Sequence, residues 1–142
     1  MQKEMGMQNS YISAMTEKDT TWWKKEIRHL QDSTISKNDR LMNKRLLSYL
    51  GLIAYMFSDK AVNEQNIEAA EKFLEIYRLV EPTNPEHFFL EAKRRMLMND
   101  PVNAVAYLKL ATILGFSDRD RILQEPLFES LSGNQDFKGL FR

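Results

Sequence analysis

The side chains able to do covalent or metal chemistry are few here, and their spacing keeps them apart. The two histidines, His29 and His87, have no H-E-x-x-H context and no i, i+4 partner, so a metal site would need distant segments to converge. His87 falls in the first turn of an expected helix, where a protonated imidazole is disfavoured, and reads as an exposed polar residue. The absence of cysteine removes disulfides, thiolate ligands and thiol nucleophiles together, and leaves the redox compartment undetermined. Neither G-x-S-x-G, a glycine-rich phosphate loop nor G-x-G-x-x-G occurs, so nucleotide chemistry has no support. Glu68, Glu71 and Glu75 share one side of a helix at spacings of three and four. Acid–base carboxylates need a desolvated member to split their pKa values, and this pattern supplies no apolar enclosure. The expected function is therefore noncatalytic, without cofactor or metal.

Mixed basic and aromatic residues are the next candidates. Trp22-Trp23-Lys24-Lys25 with Arg28 could stack bases and neutralise phosphates. Successive helical positions diverge by about 100°, so Trp22 and Trp23 cannot both face one ligand. Trp23 is expected to pack inward and Trp22 to sit at an edge or interface, and nucleic acid is not an expected partner. Lys93-Arg94-Arg95 spreads around its helix in the same way and reads as solvated charge.

Bulk properties agree with a packed helical domain. The 142 residues are enough for one domain with a real core, and 43% hydrophobic with 28% charged residues can offset chain entropy. Twenty basic residues balance twenty acidic ones, so no global field names a partner. The charge is nonetheless uneven: residues 1–58 carry nine basic and six acidic groups, 59–92 three and eight, and 93–142 eight and six. That acidic middle band could orient a partner, although ordinary solvated helix faces explain it more simply. The most apolar stretch, Leu46 to Phe57, is short and interrupted by Ser48, Tyr49 and Gly51, so no transmembrane segment is expected. Residues 1–15 contain no continuous apolar signal region, which makes a cytoplasmic location the default and leaves an exported or periplasmic one open if a leader has been removed.

The elements follow from periodicity and punctuation. The first dozen residues lack a clear period, and residues 1–18 are expected to be a flexible segment, with one domain over 19–142. Asp19 or Thr20 can cap a helix whose Trp23, Ile27 and Leu30 form a stripe. Ser36 or Asn38 can cap a long helix with Met42, Leu46, Leu50, Ile53 and Phe57 on one face. Ser58 to Asn66 is polar and reads as a loop, after which Ile67, Ala70, Phe73, Leu74, Tyr77 and Val80 give another amphipathic helix. Pro82 and Pro85, then Pro101, mark two tight helix-to-helix turns, and Gly115 ends the last long helix. Apolar clusters around Ile122, Phe128 and Phe137, punctuated by Pro126 and Gly133, predict short helices closing the core, and no segment reads as a strand.

Sliding the chain on itself by 34 residues places Ala70 on Ala104, Leu74 on Leu108, Tyr77 on Ala111 and Val80 on Leu114. Helix pairs cannot cover their own apolar faces, so small residues at such positions let one pair stack closely on the next. The inner seam is expected to run through Ala70, Ala104 and Ala111.

With Phe88, Ala92, Ala104, Leu108 and Ala111 in this spacing, Phe88 to Phe116 resembles a unit of the tetratricopeptide repeat (TPR) family. The preceding segment is similar through Leu47, Leu50, Gly51, Ala70, Leu74, Tyr77 and Pro82, but has about seven extra residues near Ser58 to Asn66. The tail with Leu123, Glu125-Pro126-Leu127-Phe128 and Leu131 is similar to the segment that often follows a last TPR. The resemblance implies an all-α, right-handed stack of antiparallel helix hairpins, with units at about 43–84 and 85–118 and a cap at 119–142. It also implies a concave groove binding a peptide or partner helix, with candidates Arg45, Ser48, Leu52 and Tyr55 in the earlier helix and Phe89, Lys93 and Met96 in the later one. One of Phe88 and Phe89 is expected in the core and the other partly exposed. The Lys and Asn pattern of carboxylate-clamping TPR proteins is largely absent, since Ser48, Leu52, Phe89 and Lys93 stand there. The alternative is a self-associating structural or regulatory domain of a larger or exported assembly, its homodimer core completed by Trp22, Trp23, Phe137, Phe141 or the Met-rich start.

Overall fold

The computed structural model describes residues 2–141, and among them the chain is helical with no strand. The long helices are α1 (Gln2–Glu17), α2 (Thr20–Leu30), α3 (Lys37–Asn63), α4 (Ile67–Val80), α5 (Glu86–Leu97) and α6 (Pro101–Ile113). Short elements α7 (Arg119–Leu123), a 3₁₀ helix (Pro126–Leu131) and α8 (Gln135–Gly139) follow, where apolar clusters predicted them. The most extensive packing is of α3 on α4 and of α5 on α6; α4 and α3 also pack on α5, and α2 packs on both α3 and α4. No helix is long and apolar enough to cross a membrane among the described residues.

Caps define most boundaries. Asp19, Ser36, Asn66, Asp100 and Asp118 each accept a backbone N–H three residues on, satisfying donors that the first helical turn leaves unpaired. At the Pro82–Pro85 turn Asn84 Oδ1 accepts the Glu86 N–H at 3.0 Å, while Pro85, already in the helical region, loses nothing by lacking its own N–H.

Two expectations are corrected. Residues 1–18 are not a loose segment: α1 buries Tyr11, Ala14 and Met15 and packs on α3. The Trp23 indole N–H donates to Ala14 O at 3.3 Å, the Tyr11 and Trp23 rings lie 5.7 Å apart, and Arg45 reaches Glu4 at 2.8 Å. Met7, Tyr11, Ala14 and Met15 do lie on one face, but Gly6, Ser10 and Ser13 dilute the stripe and the partner face comes from other helices.

The second correction concerns Ser58 to Asn66, which is mostly helix. α3 runs to Asn63 because Ser58, Ala61 and Val62 are buried beneath its neighbours. The reversal takes only Glu64, Gln65 and Asn66: Gln65 adopts φ +58°, its N–H bonds Val62 O at 3.0 Å, and the Asn66 N–H bonds Ala61 O at 2.8 Å. Thirty-four residues later Asn99 has φ +57°, its N–H bonds Met96 O at 3.0 Å, and the Asp100 N–H bonds Arg95 O at 2.9 Å. The 34-residue spacing thus extends to the left-handed residue and the cap of each turn. The extra length of the earlier segment lies toward the N-terminal end of α3.

Ala70, Ala104 and Ala111 are all fully buried, as the helix-crossing expectation requires. Because α1 is docked rather than loose, Met15→Ala should cost about 2–5 kcal/mol by opening a cavity between α1 and the body of the fold. The midpoint of urea unfolding measures it; an unchanged midpoint would mean that α1 contributes no packing.

Candidate functional site

The expected groove residues separate into two groups. On α3, Ser48, Leu52 and Tyr55 line one hollow of about 350 Å³, completed by Gly51, by Tyr77 of α4, and by Glu81, Asn84 and Glu86 around the α4–α5 turn. Leu52 is 56% exposed beside it, and Met56, one turn on, is 58% exposed. Arg45 lies away from the hollow, its guanidinium held by Glu4 of α1.

On α5 the chain covers its own surface. Phe89 is buried, stacked on Phe116 at 4.8 Å and edge-on to Phe128 of the 3₁₀ helix at 5.9 Å, with the Arg121 guanidinium 4.6 Å above its ring. Lys93 is buried too and pairs with Glu125 at 3.3 Å, and Met96 is half-buried. Phe89 and Lys93 are therefore corrected from groove candidates to residues of the C-terminal packing. Phe88 is the partly exposed member of its pair, lying over Tyr107 at 5.8 Å.

Lys93-Arg94-Arg95 is likewise not a set of solvated charges. Arg94 is buried and donates to Glu91 at 2.8 Å, to Glu71 at 3.3 Å and to Ile67 O at 3.2 Å. Glu91, buried on α5, also receives Arg95 at 3.0 Å. A carboxylate enclosed by two guanidiniums is compensated in charge. Charge runs look solvated in a sequence whenever the opposing charges lie on another helix or one turn away.

His87, expected to be exposed, is fully buried between Tyr77 and Phe88. Its Nε2 lies 3.0 Å from Pro82 O, which makes that nitrogen the donor, and its Nδ1 has no partner. Burial lowers its pKa below the ordinary 6.5, so the neutral ring is the folded form.

Within the hollow Glu81 is distinctive. Its carboxylate lies against the α3 backbone at Gly51, in the space that a Cβ there would occupy, so a larger residue at that position would make the Glu81 side chain turn aside. Asn84 Nδ2 donates to it at 3.3 Å. Glu86, by contrast, is paired with Arg121 through both guanidinium nitrogens, the second at 3.1 Å. Burial is the main cause that pushes the hydroxyls of Tyr77 and Tyr55 above their ordinary pKa, and the nearby carboxylates add to it, so both remain protonated. The hollow can accept and donate hydrogen bonds and hold positive charge; it presents no activated nucleophile. Among the described residues no three His, Asp or Glu side chains converge as metal ligands.

Periodicity did not point to Tyr77, Glu81, Asn84 and Glu86 as hollow residues, because it assigned Tyr77 wholly to the core and the others to a turn. A carboxylate at the C-terminal end of a helix, facing a glycine on the preceding one, is the pattern that marks them.

Two outcomes test this electrostatic reading. Glu91→Ala should destabilise the fold by about 3–5 kcal/mol by leaving Arg94 buried without its carboxylate, measured by chemical unfolding. For His87, the unfolded chain takes up protons below pH 6.5 that the buried ring refuses, so stability should fall as pH drops through that value. Unfolding midpoints measured across this range should slope accordingly, and His87→Phe, whatever its absolute stability, should lose His87's part of the slope. Compared with protein-family models, curated proteins and solved structures, the chain matches none.

Proposed function

We propose that the chain is a noncatalytic protein-interaction module: a TPR-like, right-handed stack of antiparallel helix hairpins that receives a peptide or partner helix on the exposed face of α3. The observation that carries this reading is the juxtaposition of exposed Leu52 and Met56 with the hollow at Ser48, Tyr55 and Glu81. Apolar anchors bordering a few oriented polar groups are what a recognition surface needs. The repeat reading draws support from the turn residues Gln65 and Asn99, the caps Asn66 and Asp100, and the buried Ala70 and Ala104, each pair 34 residues apart.

Self-association is the second reading, and one observation favours it. The outward side of α6 leaves Val102 77% and Ile113 69% exposed, with Leu110 and Leu114 beside them. Apolar residues grouped on one exposed side of a helix, here with Lys109 among them, can form a contact face. The residues first considered for a dimer core are otherwise engaged: Trp23 and Phe137 are buried in the chain's own core, and Trp22 and Phe141 pack edge-on against them.

A photo-crosslinking amino acid at Leu52, with a second placed at Val102, separates the two in cells that produce the protein. Groove binding predicts adducts of one or a few defined masses from position 52 and not from 102. Adducts of twice the chain mass from position 102 would favour self-association, and none above background at position 52 would sink the groove reading.

A further inference from the structure

Resting on the interaction reading, we infer that the α3 hollow is a subsite for a cationic side chain: a lysine or arginine carried by the partner segment, its charge held by Glu81 and hydrogen-bonded within reach of Tyr77. Three independent features converge on a positive group.

The first is an uncompensated charge. Among the described residues Glu81 forms no ion pair, in contrast to Glu86, Glu91 and Glu125 nearby in the fold, each of which has a cation. It also sits at the C-cap of α4, where unpaired carbonyls already give the helix end negative character and a carboxylate is disfavoured. Within the chain the carboxylate is answered by the Asn84 amide at 3.3 Å and by no cation among the described residues.

The second is Tyr77, which lines the hollow, is only 2% exposed, and has no hydrogen bond for its hydroxyl among the described residues. The ring is buried while the hydroxyl end opens into the hollow, where a protonated phenol can accept from an ammonium or guanidinium. The third is Gly51: the absence of a side chain at that position of α3 makes room for the Glu81 carboxylate beside the helix.

The occupant is a protein segment rather than a free amine. Exposed Leu52 lines the hollow and exposed Met56 follows it one turn on, apolar surface that a peptide side chain can cover and a small cation cannot.

N-acetyl-Leu-Lys-Leu-amide, titrated into the full chain and followed by amide NMR shifts, tests this. Its control is the same peptide with Nε-acetyllysine. The lysine peptide should shift Gly51, Leu52 and Glu81 saturably with a Kd on the order of 1–10 mM, and the acetylated peptide should bind roughly tenfold more weakly. Glu81→Gln should bring the lysine peptide down to the level of the control, and Tyr77→Phe, which keeps the ring, should weaken it by a smaller factor. Equal shifts from both peptides, indifferent to Glu81→Gln, would overturn the cation subsite while leaving adducts at Leu52 to stand. No saturable shift at these residues from either peptide would overturn it as well, and the loss of the Leu52 adducts would separately end the groove reading.

Discussion

Reversing a helix within three residues forces its successor alongside, and much of this molecule follows from doing so twice with the same chemistry. Gln65 and Asn99 take the left-handed conformation, and Asn66 and Asp100 cap the next helix. A non-glycine residue in that region is strained by roughly 1 kcal/mol, which the turn recovers by satisfying carbonyls of the ending helix and amides of the starting one. With the reversal fixed, α4 must lie against α3 and α6 against α5, and fully buried Ala70 and Ala104 let those pairs close. Lengthening either turn would release the register on which the inner seam depends.

The two sides of the α3–α6 helix array are finished in different ways. At the N-terminal side, α1 and α2 lay Tyr11, Met15, Trp23 and Ile27 over the α3–α4 pair. At the C-terminal side the chain folds back on α5, and there the packing is aromatic and ionic: Phe116 and Phe128 on Phe89, Glu125 on Lys93, Arg121 on Glu86. The outer side of α6 receives no comparable cover, which leaves its Val102 and Ile113 in contact with solvent.

Legibility in the sequence followed the range of the interactions. Caps, proline starts and the Gly115 stop were readable because each acts within four residues, and the helical stripes of α2 to α6 because they repeat. The helix α1 was not readable, since its stripe of Met7, Tyr11, Ala14 and Met15 is short and gains meaning only against Trp23 and α3. His87 and Arg94 failed for the same reason: a polar residue is placed indoors by partners such as Pro82 O and Glu71, which lie elsewhere in the chain. In the candidate site, helical spacing placed Ser48, Leu52 and Tyr55 on one face of α3. It could not supply the facing wall, because Tyr77 and Glu81 arrive from another helix.

The two halves of the expected groove therefore illuminate each other. On α5, the groove positions Phe89 and Lys93 are satisfied from within by an aromatic ring and a carboxylate of the C-terminal segment. Beside α3 the surface keeps an exposed leucine, Leu52, and the carboxylate of Glu81 at the end of α4, which has no cation among the described residues. The intramolecular half shows what a complete set of contacts on such a helix face contains: an apolar group against the apolar position and an opposite charge against the charged one. A segment carrying an apolar side chain and a cation is the proposed occupant of the open half because it would supply Leu52 and Glu81 with the same two kinds of contact.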